Sequence, residues 1–231
     1  WYVGQKQGEI WGYETYGLFQ SEQEIAGAAN QDKVSGGIKL MPGDIRFVDR
    51  NNDGVIDWGD NTVDNPGDKK IIGNSTPRYH YGINLGADWK GFDLGIFFQG
   101  VGKRDLYLPG TSFRSHYGSE WQVPSAYNND YWTEENTGAY FPRARFNGGS
   151  AINQAQTRYM VDASYCRLKS VSIGYTLPKV LTQKASIEKI RIYFTGENLF
   201  TISDTPDGLD PELDNPYTCL LYTSDAADER S

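Results

Sequence analysis

Between Asp49 and Asp60 the chain reads Asp-Arg-Asn-Asn-Asp-Gly-Val-Ile-Asp-Trp-Gly-Asp. That spacing puts side-chain oxygens at loop positions one, three, five, nine and twelve: Asp49, Asn51, Asp53, Asp57 and Asp60. Gly54 stands at position six, where the turn needs a positive φ, and the carbonyl of Val55 falls at position seven. Hard divalent cations are bound by rings of oxygen donors, so the pattern predicts Ca²⁺ as a structural cofactor that pins a long loop. Two features depart from a helix-flanked calcium loop. Asp60 replaces the longer Glu at the last position, and the approach through Ile45-Arg46-Phe47-Val48 reads as a strand. The competing reading is a turn rich in Asp, Asn and Gly that needs no metal, because these residues favour turns by themselves.

A second group of candidates lies between Lys103 and Arg158, where aromatic residues are scattered among polar ones. Tyr117, Trp121, Tyr131 and Trp132 are the candidate substrate-binding residues, since aromatic faces stack on sugar rings or hold peptide side chains. The alternative is that the rings pack the loop against itself as a small core. Other arrangements that could do chemistry fall short. His80 and His116 have no His or Cys at metal spacing. Glu134-Glu135 are neighbours on an acidic loop and read as solvated. Gly100-Val101-Gly102-Lys103 is too short for a phosphate loop. The chain is not expected to be an enzyme.

The elements that would position these loops are strands. Tyr79, Tyr81, Ile83, Leu85, Ala87 and Trp89 alternate with His80, Gly82, Asn84, Gly86 and Asp88, and after Lys90-Gly91 the alternation resumes with Phe92, Leu94, Ile96 and Phe98. It returns at Val171, Ile173, Tyr175 and Leu177, and again at Ile190, Ile192 and Phe194. Period two predicts strands near 79–90, 91–102, 159–177 and 187–201. Each has about the ten residues that a tilted strand needs to cross a bilayer. One face is apolar and the other small or polar, which suits lipid on one side and a watery lumen on the other, although a soluble sandwich also alternates. The connections are lopsided: two residues at Lys90-Gly91, a short link near Pro178, and more than fifty residues from Lys103 to Arg158. Short turns on one side and long loops on the other are the habit of outer-membrane barrels. The fold class expected is therefore all-β, antiparallel strands from part of a transmembrane barrel with long extracellular loops, the barrel not closed within this fragment. With the short turns in the periplasm, the region up to Arg78, the region 103–158 and the region after Thr201 lie outside.

Composition narrows the field. A mean hydropathy of -0.60 and 26 glycines in 231 residues argue against a helix-rich core, and no apolar run approaches the length of a spanning helix. Membrane residence would then require a barrel, since lipid tolerates no unpaired backbone. The 16 tyrosines and 6 tryptophans suit interfacial girdles. A formal charge of -8 disfavours nucleic acid, whose phosphates need a basic surface, and none is expected as a partner. Cys166 and Cys219 imply no disulfide framework.

Several strings combine into a family resemblance. They are Gly43-Asp44-Ile45-Arg46-Phe47 leading into the 49–57 loop, Ile71-Ile72-Gly73-Asn74-Ser75-Thr76-Pro77-Arg78-Tyr79, Lys90-Gly91-Phe92-Asp93-Leu94 with Phe97-Phe98-Gln99-Gly100, Tyr165 to Pro178, and Arg191-Ile192-Tyr193-Phe194-Thr195-Gly196-Glu197-Asn198-Leu199-Phe200-Thr201. In this order they resemble the C-terminal barrel region of the SusC/RagA family of TonB-linked outer-membrane receptors from Bacteroidetes. The resemblance runs from about Gly8 to Pro216. It implies import of glycan oligosaccharides or peptides across the outer membrane, with a SusD-like surface lipoprotein and the TonB system as partners and outer-membrane lipid around the barrel. On this reading residues 1–218 are a partial receptor barrel. Residues 219–231 resemble the translation of a sequencing adapter and are expected to be foreign, standing where the family has a last strand ending on an aromatic residue. The alternative function is a secreted calcium-binding β-sandwich that binds glycans.

Overall fold

A computed structural model describes residues 4–107, 130–145, 149–182, 187–206 and 210–212. The chain divides into two compact units, one formed by Trp1–Thr76 and Leu106–Val161, the other by Pro77–Asp105 and Asp162–Ser231. The first unit thus joins two of the three long segments that the loop asymmetry places on one side.

In the first unit the strands are short and come in pairs. β1 (Glu9–Tyr13) runs antiparallel to β4 (Lys69–Asn74), and β2 (Thr15–Leu18) to β3 (Ile45–Phe47), with α1 (Glu22–Ala26) and α2 (Asp32–Ser35) in the intervening chain. Ser21 caps α1 by accepting the Glu24 N–H, and α2 stops at Gly36 in the left-handed region. Two-stranded pairs of three to six residues have little stability alone. What holds them is a core that includes Tyr13, Val34, Ile45, Ile56, Ile152 and Tyr159, each 2 % exposed or less. The buried amide of Gln31 supports the edge of β3: it donates to the Ile45 carbonyl at 2.8 Å and accepts the Phe47 N–H at 3.4 Å.

The second unit is a single four-stranded antiparallel sheet in the order β10-β9-β6-β5, built from β5 (Tyr79–Trp89), β6 (Phe92–Gly102), β9 (Tyr165–Thr176) and β10 (Arg191–Ser203). A small sheet of β7 (Asp105–Tyr107) and β8 (Met160–Asp162) stands where the chain passes from one unit to the other, and α3 (Lys179–Thr182) follows β9. Lys90 and Gly91, both at positive φ, make the two-residue turn between β5 and β6, and the register from Trp89↔Phe92 to Tyr79↔Gly102 is unbroken.

Register carries the alternation across the sheet. Trp89, Phe92, Tyr175 and Ile192 lie in one row, followed by Ala87, Leu94, Ile173 and Phe194, and then Leu85, Ile96, Val171 and Gly196. The opposite face carries Gly86, Gly95, Ser172 and Thr195. A bulge in β9 shifts its pairing from Ser170 to Leu168 between Phe97 and Phe98, which turns Leu168 to the apolar face and Arg167 to the polar one. The simple period of two would have put Leu168 on the wrong side. The all-β, antiparallel, unclosed sheet expected from the sequence is borne out.

Candidate functional site

The 49–60 loop leaves β3 and is wound by its own side chains. Each short polar side chain accepts an N–H two residues on: Asn51 from Asp53 at 3.1 Å, Asp53 from Val55 at 2.8 Å, Asp57 from Gly59 at 2.8 Å. Asp49 accepts from Asn52 at 2.7 Å and from Gly54 at 2.8 Å, and Gly54 has the positive φ its position requires. The base of the loop is clamped by Asp68, fully buried, whose two carboxylate oxygens accept the Arg50 and Asp57 N–H groups, each at 2.8 Å. Ile56 anchors the loop in the core, and its N–H bonds the Asn30 carbonyl at 2.7 Å.

Six donors in register in the sequence are not six donors in one place. Asp49, Asn51 and Asp53 share the tip, where the Asn51 amide donates to Asp53 at 2.8 Å. Asp57 is turned to Lys33, with Nζ 2.7 Å from its carboxylate. That hydrogen bond, reinforced by the charge, holds Asp57 below the ordinary carboxylate range and raises Lys33. Asp60 accepts from the Asn65 amide at 2.8 Å. Among the described residues no three acidic, His or Cys side chains are disposed to share a metal ion.

Of the four aromatic candidates, Tyr117 and Trp121 lie outside the described residues. Trp132 is 3 % exposed and belongs to the core, so the mini-core alternative describes it. Its indole N–H donates to the Gln20 side chain at 3.1 Å, and the Arg143 guanidinium stands 5.4 Å over its ring. Its neighbour Tyr131 bridges to Phe141 and keeps 38 % of its surface exposed. Glu134 and Glu135 are exposed, in line with a solvated pair. Cys219 to Ser231 lie outside the described residues.

Sequence reasoning missed a polar cluster on the sheet. Arg167, 9 % exposed, donates to Thr201 at 2.7 Å, to Glu212 at 2.6 Å and to Asp210, while Lys169 reaches Glu212 at 2.7 Å. Burial alone would raise Asp210, but Arg167's hydrogen bond and charge bring it below its ordinary value. The signal was present: the string Leu209-Asp210-Pro211-Glu212 places two acids together, and Arg167 and Lys169 are the two charged residues in a strand otherwise of small, hydroxyl, aromatic and apolar ones.

The chain is similar to TonB-dependent receptor P3 of Formosa agariphila, 32% identical over 212 residues that make up 90% of this chain and 19% of that protein. It is also similar to TonB-dependent receptor P26 of the same organism, 29% identical over 92% of this chain and 20% of that protein. No family model matches. Among solved structures, the RagAB peptide importer in its closed-closed state superposes with a TM-score of 0.60 at 21% identity, over 90% of this chain and 21% of that one. The RagAB importer in its open-open state gives 0.58 at 20% identity, over 88% of this chain and 19% of that one. The chain spans about a fifth of the length of the curated relatives it matches. Its resemblance to TonB-dependent receptors is thereby borne out over nearly its whole length.

Proposed function

We infer that this chain is a stretch of the barrel and outer loops of a TonB-dependent receptor, and on that premise propose that the receptor imports oligosaccharides or peptides across the outer membrane. The observation that carries this is the polarity of the sheet. Ile83, Leu85, Phe92, Ile173, Ile192 and Phe194 stand about half exposed or more on consecutive strands, as side chains that face lipid must, while the reverse face carries the row Gly86, Gly95, Ser172 and Thr195 between them. Strands of 11 to 13 residues suffice to span the hydrocarbon core. A secreted sandwich would bury that apolar face under a second sheet. A SusD-like surface lipoprotein and the TonB system are the proposed partners, and Tyr117, Trp121 and Tyr131 the proposed aromatic contacts to substrate. The test is uptake of labelled oligosaccharides and peptides by cells carrying the full receptor: accumulation should stop when either the receptor or TonB is deleted. Uptake that persists without TonB would refute the reading.

We also propose that Asp49, Asn51, Asp53, Asp57, Asp60 and the Val55 carbonyl hold Ca²⁺, with a purely structural role. Support comes from the donor set and from the side-chain turns that already bend the backbone at 49–55. Asp57 and Asp60 would have to release Lys33 and Asn65 to take part.

A further inference from the structure

On the first unit, β2, β3, α1 and the 137–139 segment line an open cavity of about 320 Å³. Its walls include Tyr16, Gly17, Gln20, Arg46, Gly138 and Arg158. A bulge makes it: β2 pairs Thr15 with Phe47 and Gly17 with Arg46, so Tyr16 is the extra residue and is thrown outward, 71% exposed. Gly17 takes the bend at φ +127°, and a Cβ there or on Gly138 would meet open space. The Arg46 guanidinium lies 5.0 Å over the Tyr16 ring and 5.8 Å from Phe19. Among the described residues it makes no hydrogen bond or ion pair, so its five donors remain for a ligand.

The other polar groups are already engaged. Gln20 donates to the Leu18 and Thr137 carbonyls at 2.9 and 3.3 Å and accepts from Trp132. The Glu24 carboxylate accepts the Gln20 N–H at 2.9 Å and closes the first turn of α1. Arg158 is tied by its Nε and one terminal nitrogen to the Tyr140 and Ala139 carbonyls, fixing a second positive charge in the wall. The cavity therefore offers one unengaged guanidinium, a second cation in its wall and an exposed aromatic ring, so that its two arginines outweigh the single carboxylate of Glu24. It has few free partners for the many hydroxyls of a sugar.

We propose that this cavity binds the C-terminal carboxylate of a short peptide, with Arg46 as the fork that grips it and Tyr16 as the platform for the last side chain. This deepens the import reading by naming a substrate class, and it rests on that reading. The experiment is calorimetric titration of the full-length receptor with the tripeptide Ala-Ala-Phe and with its C-terminal amide. The acid should bind about tenfold more tightly than the amide, as loss of a charge-assisted hydrogen bond implies. Arg46→Gln should abolish the difference, and Arg46→Lys should keep part of it. Equal affinity of the wild type for acid and amide, including no binding of either, overturns the proposal, as does discrimination that survives Arg46→Gln. Trigalacturonate that displaces Ala-Ala-Phe and is itself lost in Arg46→Gln would transfer the site to acidic glycans and refute the peptide assignment. Failure of the import reading has a separate signature, uptake independent of TonB, which this titration does not touch.

Discussion

The two units use the same apolar residues in opposite ways. In the loop unit Tyr13, Val34, Ile45, Ile56 and Tyr159 are wholly buried, whereas in the sheet unit Ile173 is 49%, Ile192 66% and Phe194 69% exposed. The first unit carries its own apolar interior, as a water-soluble body must. The second gains its order from backbone ladders and leaves its apolar face to the surroundings, which suits a sheet whose solvent is lipid. One chain thus holds one body that buries its apolar side chains and one that exposes them, and the contrast can be attacked residue by residue.

The largest effect is expected where burial is complete. Ile45→Ala removes a side chain from the centre of the loop core and should cost about 2–5 kcal/mol. Ile192→Ala, on the outward face, leaves no cavity and should cost far less. Hydrogen-exchange protection of residues 9–74 in the full-length receptor measures the first, and reinsertion into vesicles the second. Equal penalties would erase the distinction between the units.

A reversed substitution sharpens the same contrast. Ile96 lies in the row with Leu85 and Val171, and Ile96→Arg should cost about 2–4 kcal/mol if that row stands near the bilayer midplane. On a face wetted by water the same change would be nearly neutral. Refolding of wild type and variant into lipid vesicles at graded urea decides which solvent the face meets, and an unchanged midpoint would sink the lipid assignment.

The polar face has one expensive position. Arg167→Met strips the partner from Asp210 and leaves Glu212 with Lys169 alone, both carboxylates being about one-third exposed. Water therefore recovers part of the loss, and the cost should be about 1–2 kcal/mol, below that of breaking a fully buried pair. It should appear as faster proteolysis after Ser203 with the sheet itself intact. Unchanged cleavage would show that the cluster does not hold the segment that follows β10.

How much of this was legible beforehand follows from which forces are local. The hairpin at Lys90-Gly91 and the alternation of β5, β6, β9 and β10 could be read because side-chain direction along a strand has period two regardless of context. The bulges at Tyr16 and at Lys169 could not, because a bulge is set by the partner strand's register and not by its own residues. For the same reason Arg46 and Arg167 escaped notice, each being aimed by such an irregularity. Trp132 was legible only as an aromatic. Whether it faces substrate or core depends on Gln20 and Arg143, both distant in sequence. In the 49–60 loop the donors were visible and their competitors were not: Lys33 and Asn65 come from outside it, and a spacing rule counts only what lies within.

That competition yields the smallest effect and the finest test of the loop unit. Lys33 holds Asp57 below its ordinary value, so the attraction between them is complete above the usual carboxylate range and is lost as the pH falls through the lowered value of Asp57. If Ca²⁺ binds at 49–60, it must take Asp57 from Lys33. Lys33→Ala should then raise Ca²⁺ affinity, on the order of severalfold only, because water screens so exposed an ion pair and leaves the metal little to overcome. Asp49→Ala and Asp53→Ala should each abolish binding, since neither Asn51 nor water replaces a charged donor at full strength. Calorimetric titration of the full-length receptor near neutral pH reads the wild type, the three single variants and the Asp49→Ala, Asp53→Ala double variant. If the wild type gives the same heat as the Asp49→Ala, Asp53→Ala double variant, the loop is a turn held by Asp68 and its own side chains, and the oxygens at 49–60 serve only to fold it.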